Sequence, residues 1–83
     1  MNINENLLHQ IAAKYIKNQD IRVEIKGTEL QTETLKNLLS VSKNLMTEMN
    51  KEEYNIDLVI DMIHEKKELT KIFQNITGIT WKL

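Results

Sequence analysis

The sequence predicts an α+β domain, mostly α, in the order α-β-α-α, with a long antiparallel helical hairpin at its centre. Three observations predict it. Apolar residues recur at helical spacing along most of the chain. One short run, Ile21 to Lys26, alternates apolar and charged residues instead. An Asn50–Glu53 pair marks a helix start between two long helical stretches.

The first helix is expected over about Ile3 to Lys17, where Ile3, Leu7, Leu8, Ile11, Ala12, Tyr15 and Ile16 share a face. Asn2 with Glu5 supplies a cap-and-N3 pair. Asn18 can end the helix in a left-handed conformation. The alternation of Ile21, Val23 and Ile25 with Arg22, Glu24 and Lys26 is that of a half-buried strand, and its β-branched residues agree. Gly27 ends it. Thr28 and Gln31 make a capping box for the second helix, with Thr32 as a later alternative start. Leu35, Leu38, Leu39, Leu45, Met46 and Met49 form its stripe. Ser42 interrupts that stripe with a small side chain that could let another element approach closely.

Asn50 is the expected N-cap of the third helix. Glu53 stands at its N3 position, and Met49 with Tyr54 could close a hydrophobic staple. This helix is expected to reach Ile76 with Leu58, Met62, Leu69, Ile72 and Ile76 as the main stripe. Ile56, Val59, Ile60 and Ile63 widen it early, so that half should be covered on more than one side. Gly78 suits the position after the helix end, with Ile79 folding back on Phe73. The tail, Ile79 to Leu83, reads as a short C-terminal strand. It could pair with the single internal strand, or that strand could pair across a dimer; either would satisfy the backbone groups a lone strand leaves open.

The 83 residues fit one domain, 1–83, with a modest core. There are no cysteines, so disulfides and thiolate sites are out. The formal charge of −1 argues against a bulk electrostatic nucleic-acid binder. No apolar run approaches the roughly 18 residues of a membrane span. The opening Met1-Asn2-Ile3-Asn4-Glu5 lacks the pattern of a secretory signal, so the expected location is cytoplasmic. Ten lysines against one arginine, with 11 isoleucines and 9 asparagines, reflect AT-rich codons. That bias suggests a low-GC bacterium or one of its mobile elements and says nothing of mechanism.

Chemistry is hard to find. No serine sits in a nucleophile turn, and two glycines cannot build a phosphate loop. Asp61, His64 and Glu68 have metal-like spacing on one helix face, but an isolated helix offers too few inward carboxylates, and a solvated polar seam is the better reading. His9 is read as a surface or partly covered histidine. No catalytic residue, cofactor or metal is assigned. Lys14, Lys17, Arg22 and Lys26 form a basic patch, while the stretch from Glu48 to Glu68 holds seven acids against three lysines. The third helix opens acidic, the wrong sign for entering a DNA groove.

The expectation is a non-enzymatic protein-interaction module that self-associates, with a dimer favoured. A phage or mobile-element regulator, or an inhibitor of a host protein, is the associated biological setting. Its partner-binding candidates are Tyr54, Ile56, Val59, Ile60, Ile63 and Trp81; Trp81 is either such an anchor or a plug pinning the tail. One alternative is a nucleic-acid-binding regulator using the basic patch. Another is an oligomeric metal-dependent enzyme at Asp61, His64 and Glu68.

Overall fold

The computed structural model describes residues 1–83 and shows three helices: α1 (Glu5–Ile16), α2 (Glu29–Met49) and α3 (Ile56–Thr77). Helix α2 is the centre. It packs against α1 on one side and α3 on the other, and α2 and α3 form an antiparallel hairpin.

Each helix is bounded by identifiable chemistry. Asn4, not the expected Asn2, caps α1, its Oδ1 accepting from the Leu7 N–H at 2.8 Å. Asn18 follows the helix with φ 61°, the left-handed conformation its short polar side chain tolerates. Thr28 and Gln31 close a reciprocal capping box on α2. Gln31 also donates from Nε2 to the Ile76 carbonyl, tying the start of α2 to the end of α3. Gly78 ends α3 at φ 76°, and its N–H reaches the Gln74 carbonyl.

Two further sequence expectations are corrected. The chain is all-helical, not α+β: neither Ile21–Lys26 nor the tail forms a strand. The tail has a better use for its alternation. Ile79 and Trp81 are buried, Leu83 is half-buried, and Thr80 and Lys82 between them are exposed. An extended chain laid into a helical groove alternates just as a strand does, because one side is covered. With the tail committed there, the internal segment has no partner in the chain and stays irregular.

The hinge is also displaced. Asn50 does not open α3; it ends α2, its N–H directed at the Met46 and Glu48 carbonyls. The N-cap of α3 is Asn55, whose Oδ1 accepts from the Leu58 N–H at 3.1 Å. Asp57 in the following turn suits the positive end of the helix dipole. Met49 and Tyr54 are both exposed, so the staple does not form.

The core has two parts. At the root of the hairpin, Leu8 and Ala12 of α1, Leu35 and Leu38 of α2, Phe73 of α3, and Ile79 and Trp81 of the tail pack together. Towards the loop end, only Val41, Leu45, Val59 and Met62 are buried between α2 and α3.

Candidate functional site

The tail, Ile79–Leu83, covers the root of the hairpin. Trp81 packs edge-on against Phe73, with ring centroids 6.0 Å apart. Its indole N–H donates to Ser42 Oγ at 3.2 Å. Ser42 is therefore the gap in the leucine stripe through which another element approaches, and that element is the tail. His9 of α1 also lies against the indole, with centroids 5.5 Å apart. The Lys82 N–H donates to His9 Nε2 at 3.1 Å, so Nδ1 carries the ring proton and donates to the Glu5 carbonyl at 2.8 Å. The Lys66 ammonium donates to the Leu83 carbonyl. Burial in this position holds Lys66 below the ordinary lysine pKa.

Beside Leu83 the surface between α2 and α3 is open. A cleft of about 300 Å³ opens there, lined by Leu45, Met46, Met49, Lys66 and Leu83 among others. Along α3, Ile56, Ile60 and Ile63 step by four and three, so they share one flank of the helix. That flank lies away from Leu58 and Glu65, which line the opposite, more polar groove with Met62, Asn44 and Glu48. Of the twelve exposed large apolar side chains, Met46 and Met49 of α2 and Ile56, Ile60 and Ile63 of α3 fall at the loop end of the hairpin, with Leu58 on the opposite flank. Singly exposed apolar residues are ordinary, whereas a gathered set is not.

The six partner-binding candidates divide accordingly. Tyr54, Ile56, Ile60 and Ile63 are about half exposed, at 47, 55, 45 and 48%. Val59 and Trp81 are buried within the chain and cannot meet a partner without rearrangement. Met46 and Met49 sit at core spacing on α2, so nothing in the sequence marks them as surface residues. Lys66 is likewise unmarked, its seam position falling between Met62 and Phe73.

Glu48 is the other residue the sequence hid. It continues the α2 seam of Leu38, Val41 and Leu45, and its carboxylate is buried. Lys51 reaches both oxygens, 2.8 Å from Oε2 and 3.4 Å from Oε1, but only the longer contact has hydrogen-bonding angles. The spacing of Glu48 and Lys51, three apart at the helix end, was the available clue.

The basic residues Lys14, Lys17, Arg22 and Lys26 are all exposed, on the last turn of α1 and the segment after it. Arg22 lies 3.6 Å from Asp20, which offsets part of the patch's charge. Asp61, His64 and Glu68 are exposed, with Glu68 3.6 Å from Lys71. No three His, Asp or Glu side chains converge as a metal site would require. No helix is long and apolar enough to cross a membrane.

The arrangement defines a small three-helix domain whose central hairpin is clad at one end and bare at the other. Compared with known protein families, curated proteins and solved structures, the chain matches none.

Proposed function

We propose that this protein is a non-enzymatic interaction module that self-associates, with the bare loop end of the α2–α3 hairpin as its dry docking face. The observation that carries the reading is the exposure of Met46 and Met49 on α2 and of Ile56, Ile60 and Ile63 on α3, all at the loop end of the hairpin. A helical surface of this kind gains free energy when another helical face covers it, at roughly 25 cal/mol per Å² of apolar area removed from water. The acids Asp57 and Asp61 on α3 would orient a partner more than hold it. A regulator or antagonist that acts by occupying another protein needs no more chemistry than this.

The test is sedimentation equilibrium of the wild type against an Ile60→Lys, Ile63→Lys variant. Both side chains are half exposed, so circular dichroism should report an unchanged helix content. The variant is expected to show a lower weight-average mass at the same concentration. A wild type that stays strictly monomeric at high concentration, or a variant with undiminished mass, would overturn the reading.

A further inference from the structure

The segment between α1 and α2 carries a pattern that the folded chain does not use. The Gln19 N–H bonds to the Lys14 carbonyl, and the Thr28 N–H bonds to Gln31 Oε1. Between them, no backbone N–H from Asp20 to Gly27 has a partner in the chain. Only one carbonyl in that stretch is engaged: Lys26, by the Asn2 N–H at 3.2 Å. Asp20, Arg22, Val23, Glu24 and Lys26 are exposed, and Ile21 and Ile25 are half-buried. Every residue here keeps a negative φ, so extended backbone is open to all of them.

The geometry points to Asp20–Lys26 as a self-recognition edge, pairing antiparallel with the same segment of a second copy about a two-fold axis at Val23. Charge complementarity selects that register. With Val23 opposite Val23, Arg22 faces Glu24 of the second copy, Asp20 faces Lys26, and Ile21 faces Ile25. Each relation is repeated by symmetry, as an isologous contact requires. Centring on Arg22 instead sets Arg22 against itself and Asp20 against Glu24. Centring on Glu24 sets Glu24 against itself and Arg22 against Lys26. Opposite charges across a ladder attract and like charges repel, so both alternatives are disfavoured. A slip of one residue puts apolar side chains opposite charged ones.

The open backbone fits the same register. In extended chain, successive residues direct their N–H and C=O groups to opposite edges. The Lys26 carbonyl points to Asn2, which assigns the even-numbered residues to the N-terminal side. The other edge belongs to Ile21, Val23 and Ile25, none of which has a backbone bond. In the dimer these residues exchange hydrogen bonds with Ile25, Val23 and Ile21 of the second copy. The charged pairs then occupy the non-hydrogen-bonded positions, where side chains approach most closely. The isolated chain has no strand; this ladder exists only between two copies. It draws on the self-association of the proposed function but uses a different surface, beside the hairpin root.

The absence of cysteine makes the test clean. Val23→Cys should form a covalent dimer in oxidised glutathione, because facing residues of a hydrogen-bonded pair have Cα atoms about 5.5 Å apart, within disulfide reach. Ile21→Cys alone should not, since Ile21 faces Ile25. Arg22→Glu should raise the dimer Kd about tenfold, by turning two attractive pairs repulsive. Adding Glu24→Arg to the same chain should restore it. Equal cross-linking at positions 21 and 23, no cross-linking at either, or no rescue by the second substitution would overturn the inference. Running Val23→Cys in the Ile60→Lys, Ile63→Lys background separates the two surfaces. Cross-linking that persists there supports the edge whatever becomes of the hairpin face. Lost mass in the lysine variant without cross-linking at Val23→Cys removes the edge and keeps the hairpin.

Discussion

The two ends of the α2–α3 hairpin are built from the same kinds of residue and are finished differently. At the root, α1 and the tail roof the groove, and Phe73, Leu8 and Leu38 are fully enclosed. At the loop end the two helices cover only each other, and the isoleucines of α3 remain half exposed. The root is a core, and the loop end has the composition of one without its cover. Ile79–Leu83 cover one half, and on our reading a second chain covers the other.

The largest effects should come from the root. Phe73→Ala is expected to destabilise by about 3–5 kcal/mol, a large share of what so small a domain holds. The matched change at the loop end, Ile60→Ala, should move the isolated chain by less than about 0.5 kcal/mol. Urea unfolding of both variants at low concentration reads the contrast, and comparable losses would dissolve it. Trp81→Ala should approach the Phe73 effect, because it removes the plug that holds the tail.

Finer substitutions sharpen the boundary between the two ends. Ser42→Ala leaves the buried indole N–H without its acceptor and should cost about 1–2 kcal/mol. Asn55→Ala removes the α3 cap and should cost about 1 kcal/mol, whereas Asn50→Ala should be nearly silent. A thermal melt that ranks those two asparagines the other way would return the hinge to Asn50.

The smallest effect concerns Lys66, where the covered groove ends. Its folded pKa lies below the ordinary 10.5 because burial disfavours the charge. The unfolded chain therefore binds more protons in the window between the folded value and 10.5. Stability contributed by this group rises with pH across that window. Lys66→Met should flatten the rise in a pH series of denaturation midpoints; an unchanged slope would show that burial at Lys66 is not felt.

Much of this architecture was legible in the sequence, and the misses have physical causes. Thr28 with Gln31, Asn18 and Gly78 performed the roles their side chains or backbone freedom suit, because those signals are local. Asn50 and Asn55 are five residues apart and both favour caps; local chemistry could not choose, and α2 ends at Met49 as expected while α3 opens only after Asn55. The phase of α3 was harder. With apolar residues on most sides from Ile56 to Ile63, the period was clear but the inward direction was not. Val59 and Phe73 face inward, and Leu58 and Ile72 of the expected stripe are half exposed. The tail's alternation was real, yet alternation records one-sided burial and does not say whether a strand or a helical groove provides it. Of the expected binding residues, the exposed isoleucines followed from their excess on α3. The burial of Trp81 depended on contacts with His9, Ser42 and Phe73, distant in sequence.

Amide hydrogen exchange at two protein concentrations tests the central contrast most directly. Amides of Leu45–Met49 and Ile56–Ile63 should exchange more slowly at high concentration, while those around Leu38 and Phe73 stay unchanged. Exchange at the loop end that is independent of concentration, in a protein that remains monomeric, would contradict it.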